Sequence, residues 1–317
     1  MTHSMGSLKS DVAKIWSRAP HNAFTDLIRF RDSWVCALRE SSGHIADDGH
    51  VRIIRSDDGT GWTSVADIPC PEPSQDLRDP KLSLTSDGRL MLTAAAFRPV
   101  CQTFSFFSAD GATWSAGNKI GPPGLWLWRT VWQDGYAYNF GRSEVEEDRF
   151  LQLFRSTDGV DFQPHGDRQF RGVYANETAP IFLPDGTCLT LLRRDSDPPT
   201  AQLGMAKPPY ESWNWRDLGV RIGGPALVQL PDGRLLAVVR LYDEPRRTAL
   251  CWLDAERATL TEFPTLPSRG DTSYAGLVMH ENSLWISYYS TDEAAEGEVE
   301  VRERTSIYLA RITLSAL

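Results

Sequence analysis

Six turn signals, centred on Asp32, Asp87, Asp134, Asp185, Asp232 and Asn282, recur along the chain at spacings of 55, 47, 51, 47 and 50 residues. Four share a phrase: Ser86-Asp87-Gly88-Arg89-Leu90, Asp134-Gly135, Pro184-Asp185-Gly186 and Pro231-Asp232-Gly233-Arg234-Leu235. An Asp-Gly pair between two mostly apolar runs marks a β-hairpin, because Asp bonds its own local backbone and Gly tolerates φ > 0. A period of about fifty residues restricts the fold to an array whose units bury their apolar faces on one another.

A second motif follows three of these turns by 21 to 24 residues: Ser56-Asp-Asp58-Gly59-Thr-Gly-Trp62, Ser108-Ala-Asp110-Gly111-Ala-Thr-Trp114 and Ser156-Thr-Asp158-Gly159-Val-Asp-Phe162. The spacing suits a tight turn in which Asp accepts backbone N–H groups, Gly takes φ > 0 and the aromatic tucks underneath. Units of this length, rich in β-branched and aromatic residues and poor in helical periodicity, read as four-stranded propeller blades.

The expectation is an all-β, six-bladed β-propeller in a single domain over 1–317, with blades at roughly 20–73, 74–124, 125–172, 173–220, 221–269 and 270–317 plus 11–17. In the last unit strands are expected at Tyr274–Met279, Leu284–Tyr289 and Ser306–Ile312, with Val12–Trp16 as the fourth, closing the ring and leaving no naked edge. The acidic stretch Asp292 to Glu303 is expected as a solvated loop or long hairpin.

Composition narrows the function. A formal charge of −9 and a pI near 5.2 argue against nucleic acid as a partner, which needs a basic face. Cys36, Cys70, Cys101, Cys188 and Cys251 are scattered and odd in number, so they signal neither a zinc site nor a disulfide framework; no metal or cofactor is called for. No apolar run reaches 18 residues and the N-terminus has no apolar signal core. The expectation is a soluble protein without a membrane partner, cytoplasmic on the sequence as it stands, or secreted or periplasmic had a signal been removed.

In a propeller the first strand of every blade lines the central channel, so residues at one register converge on one mouth. Eight residues before the turns lie Phe24, Asp79, Trp126, Glu177, Gly224 and Tyr274, with Asp26, Arg78, Trp128 and Arg129 within two residues. A comparable distance after the turns lie Arg39, Arg193 and Arg240, with Arg39 expected near Asp26 and Arg193 beside Glu177. Arginine forks, carboxylates and tryptophan faces suit a polar, anionic ligand with an apolar ring face, which describes an acidic sugar.

On these motifs the chain resembles the Asp-box (bacterial neuraminidase repeat) proteins of the sialidase superfamily, each box being one residue shorter than the common form. The resemblance implies a retaining exo-glycosidase whose nucleophile is a tyrosine, matched by Tyr274, activated by Glu177, with Arg193 as the second of three carboxylate-gripping arginines. It places the acid/base on the first-blade loop Ser41 to His50, where Asp47 is the choice and Asp48 and His44 are rivals. The first and third arginines of the family find Phe24 and Gly224 here, and Arg78 and Arg129 could take their place. The partner is then a carbohydrate: a terminal sialic acid or related acidic sugar. The alternatives are a hydrolase or lyase for another sugar, such as a uronate, and a non-catalytic carbohydrate-binding propeller. The oligomeric state has no sequence signal.

Overall fold

The computed structural model describes residues 10–72, 75–145, 148–172, 174–291 and 304–317. The acidic stretch from Asp292 to Glu303 lies outside them. The described residues hold no α-helix, with a 3-10 turn at Leu314–Ala316, and no helix among them is long and apolar enough to cross a membrane.

Strands follow one another antiparallel in chain order. Three sheets hold four strands each: Arg78–Leu84 to Asn118–Ile120, Ala175–Phe182 to Asn214–Asp217, and Ile222–Gln229 to Thr259–Thr265. A fourth runs from Leu125–Gln133 through Tyr136–Ser143 to Phe150–Ser156, on which the short strands Gln163–Pro164 and Phe170–Arg171 both pair. These are blades of a propeller. The fifth sheet has eight strands in two antiparallel runs. One contains Thr272–His280, Ser283–Thr291, Thr305–Thr313 and Ser10–Trp16; the other runs from His21–Phe30 to Thr63–Ile68. A single parallel bridge, His21 to Thr305, joins them. The expected pairing of the N-terminal segment with the last strand is present, from Ser10 opposite Ile312 to Trp16 opposite Ile307.

Burial follows position in the sheet. The middle strands Leu90–Ala96 and Gln102–Ser108 are buried throughout, whereas the outer strand Thr259–Thr265 has no fully buried residue. Both faces of a middle strand meet neighbouring sheets, so Leu90–Ala96 is apolar at every position but Thr93. The core lies between sheets, as where Leu189, Leu191 and Leu203 pack on Leu227, Ala237 and Val239.

The three Ser-x-Asp-Gly turns share one pattern. Asp58 Oδ1 accepts the N–H of Thr60 and Gly61, Asp110 Oδ1 those of Ala112 and Thr113, and Asp158 Oδ1 those of Val160 and Asp161. Each serine Oγ accepts the glycine N–H, and the glycines take φ of 82°, 79° and 76°.

Six strands carry the same irregularity. In His21–Phe30 the register shifts between Ala23 and Asp26, so Phe24 and Thr25 stand opposite Leu38 alone. Equivalent shifts set Asp79-Pro80, Trp128-Arg129, Asn176-Glu177, Gly224-Pro225 and Tyr274-Ala275 each against one partner residue. A β-bulge leaves a residue unpaired and re-aims its side chain. Phe24, Asp79, Gly224 and Tyr274 all take positive φ there, 56°, 54°, 51° and 52°, a conformation strained for any residue but glycine.

Candidate active site

Four of the six bulges supply one mouth. Phe24, Asp79, Asn176, Glu177 and Tyr274 line a cavity of about 210 Å³, completed by His44, Arg78, Phe97, Trp126 and Arg142. Tyr274 Oη donates to Glu177 Oε1 at 2.5 Å. Arg193 Nη1 donates to both Glu177 oxygens (2.8 and 2.9 Å) and to Tyr274 Oη (3.0 Å), while its Nε and Nη2 reach Asp195. Burial, and then the charge of Glu177, push the Tyr274 phenol well above its ordinary value, so it is a neutral donor with a base in place. Its ring is held edge-on to Phe24, 5.0 Å between centroids. Gly224 completes the seat: a Cβ there would lie 2.6 Å from Tyr274 Cδ2.

A second constellation stands on the first-blade side. Asp271 Oδ2 accepts from His44 Nδ1 at 2.7 Å and His21 Nε2 at 3.1 Å, and Oδ1 accepts from Arg240 Nη2 at 3.0 Å and Tyr289 Oη at 2.7 Å. Arg39 Nη1 lies 3.3 Å from His21 Nδ1. A guanidinium only donates, so His21 Nδ1 accepts, and His21 is neutral with its proton on Nε2. Burial likewise lowers the His21 pKa. Burial alone would raise the Asp271 carboxyl, but the bonds from His21 and His44 and the Arg240 charge outweigh it and hold it well below the usual range. With Nδ1 bound to Asp271, His44 keeps Nε2 for the cavity it lines. The three ligand-type atoms lie within 4.8 Å of one another, yet the guanidinium groups of Arg39 and Arg240 flank them and oppose a cation.

Several expected residues stand elsewhere. Arg39 is fully buried and pairs with Asp76 through two bonds of 2.7 Å rather than with Asp26. Asp26 is buried deeper in the channel, accepting the Leu82 N–H and the Arg129 guanidinium; Arg129 lines a separate cavity of about 420 Å³. Asp26 follows its bulge and rejoins the ladder opposite Ala37, and Arg129, the second residue of its own bulge, reaches toward Asp26 rather than the mouth. Trp128 is buried under Tyr274, whereas Trp126 reaches the cavity wall. Asp47 does not face the site: it pairs with exposed Arg98 and lines an adjoining cavity. Asp48 accepts the Ser42 N–H and so fastens the loop on itself. Of the three loop candidates only His44 enters the cavity.

Arg240 is also committed, to Asp271, Tyr289 Oη and the Thr272 carbonyl. Arg78 and Asp79 line the mouth, and burial followed by the Glu177 charge raises the Asp79 carboxyl, against the opposing pull of Arg78. Sequence reasoning missed Arg142, although the count of eight that gives Arg193 from Asp185 and Arg240 from Asp232 also gives Arg142 from Asp134. It also missed Asp271, three residues before Tyr274, and His21, which has no motif.

Several solved structures share this architecture. A protein of unknown function from Dyadobacter fermentans superposes with a TM-score of 0.80 at 16% identity, covering 95% of this chain and 97% of that one. An α-L-arabinanase from Penicillium chrysogenum, complexed with arabinobiose, gives 0.75 at 14% identity, covering 96% and 98%. The chain has the fold of the propeller glycosidases. A Trypanosoma rangeli sialidase in complex with the inhibitor DANA gives 0.75 at 11% identity, where the match covers 96% of this chain but 60% of that longer one. The likeness therefore extends to arabinanases as well as sialidases and does not single out the latter. No family model matches the sequence, and no curated protein matches it.

Proposed function

We propose that the protein is a retaining glycosidase built as one six-bladed propeller, the eight-stranded sheet counting as two blades and the N-terminal strand closing the ring. The observation that carries this reading is the 2.5 Å hydrogen bond from Tyr274 Oη to buried Glu177, held by Arg193 in a cavity with aromatic walls. Arabinanase and sialidase structures on the same fold support it.

Tyr274 Oη attacks the anomeric carbon while its proton passes to Glu177, so a weak nucleophile is activated as its charge would develop. His44, oriented through Nδ1 by Asp271, donates a proton from Nε2 to the departing glycosidic oxygen. In the second step His44 takes a proton from water, water displaces the tyrosine from the anomeric carbon, and Glu177 returns the first proton to the phenolate. Asp271 is a positioning residue, since it touches His44 and not the reacting atoms.

The test is a panel of chromogenic glycosides, including arabinofuranosides, uronides and a sialoside, assayed with wild type, Tyr274→Phe and Glu177→Gln. Turnover of one substrate by wild type and its loss in both variants is expected. Undiminished turnover by Tyr274→Phe would overturn the mechanism.

A further inference from the structure

Two arginines of the cavity have side-chain donors that no described residue meets. The guanidinium of Arg78, 19% exposed, makes no hydrogen bond to any described residue; Asp76 and Asp79 approach it only to 3.6 and 3.8 Å. Asp76 already bonds Arg39 through both oxygens. Arg142, 7% exposed, sets Nη2 2.7 Å from Glu144, and its Nε and Nη1 are buried without a partner among the described residues. Guanidinium donors left unpaired in a largely buried place are costly unless a ligand oxygen meets them.

The remaining arginines near the site differ: Arg39, Arg193 and Arg240 each rest on an aspartate, Asp76, Asp195 and Asp271. Guanidinium N–H groups without a hydrogen-bond acceptor among the described residues are therefore concentrated between the second and third blades, although Asp76, Asp79 and Glu144 stand within ion-pair distance of them. An apolar surface adjoins it, where Arg142 lies 4.6 Å from the Trp126 ring and Phe97 meets Trp126 edge-on at 5.1 Å.

We propose that Arg78 and Arg142 form an oxyanion subsite that takes the acid group of a sugar, a carboxylate or a sulfate ester, with Phe97 and Trp126 as the apolar wall for the ring. The substrate is then an acidic glycan. This rests on the carbohydrate reading of the cavity and replaces the arginine set expected from sequence with a different pair. A planar fork accepts either oxyanion through parallel N–H donors, which a lysine cannot reproduce.

The experiment is calorimetric titration of D-glucuronate, D-galacturonate, N-acetylneuraminate and D-glucose 6-sulfate, against D-glucose, D-galactose and L-arabinose. It is run on wild type, Arg78→Gln and Arg142→Lys, the lysine keeping charge and most of the bulk. At least one acidic sugar is expected to bind, more tightly than every neutral one, with affinity falling about tenfold or more in each variant. The uronate and sulfate arms identify the acid. Binding by no acidic sugar, a neutral sugar binding as tightly, or unchanged affinity in both variants would overturn the proposal. Tyr274→Phe separates the two readings: it should bind the acidic sugar as wild type does. Acid-dependent binding by a wild type that turns over no glycoside would sink the hydrolase and keep the subsite.

Discussion

The two walls of the cavity are made of similar residues in opposite states of completion. On one, Glu177, Arg193, Tyr274, Asp271 and His44 form closed sets in which each charged group has its counterpart within hydrogen-bond reach. On the other, Arg78 and Arg142 stand beside aromatic rings with donors unused. A closed set fixes geometry and positions reacting groups before substrate arrives. An open set is complete only with a ligand. The difference assigns chemistry to the first wall and recognition to the second.

The sharpest way to break this division is Tyr274→Phe, which should lower kcat on the order of 10³-fold or more while KM moves little. A KM effect of the same size would place Tyr274 in recognition. His44→Gln should reduce turnover by about 10²–10⁴-fold. Undiminished turnover would remove His44 from the chemistry.

Stability should separate the walls as well. Arg193→Met leaves buried Glu177 without its cation and Asp195 with Arg221 alone, and should cost about 3–5 kcal/mol in urea unfolding. Arg78→Gln breaks no side-chain hydrogen bond, only the longer approaches to Asp76 and Asp79, and should cost about 1 kcal/mol or less. Equal losses would end the distinction.

The smallest effect concerns two aspartates that titrate in opposite senses. Asp271 is held below its ordinary value, so its contribution is present above the unfolded value of about 3.9 and disappears as pH falls through its folded value. Asp79 is raised by burial, so its contribution is full below that unfolded value and is lost as pH rises through its folded one. Asp79→Asn should therefore raise Tm by a few degrees at neutral pH, the gain vanishing in acid. Asp271→Asn should lower Tm at neutral pH, with a deficit that shrinks in strong acid. Thermal melts across pH read both.

What the sequence disclosed divides along a physical line. Turns are local, so Asp-Gly pairs and Ser-x-Asp-Gly phrases announce themselves, and strand counts carry from one repeat to the next. That is why counting back from the turns reaches Phe24, Asp79, Gly224 and Tyr274, all on bulges of common register. Asp76, Asp195 and Asp271, which decide whether an arginine is available, lie just outside the strands, where counting has no ruler. The loop bearing His44, Asp47 and Asp48 is likewise outside the repeat, and only its fold shows which of them enters the cavity. Arg39 and Arg240 look available in sequence and are bound in space, whereas Arg142 was within reach of the same count.

The repeated bulge has a consequence for change over time. Each first strand presents its variable residue from a place where no ladder partner depends on it, so replacement there alters the mouth without shifting the register of the sheet. Phenylalanine, aspartate, tryptophan, asparagine, glycine and tyrosine already occupy the six equivalent places. A scaffold of this kind can exchange its active-site residues one blade at a time, by point mutation, and acquire a new specificity without re-registering its strands.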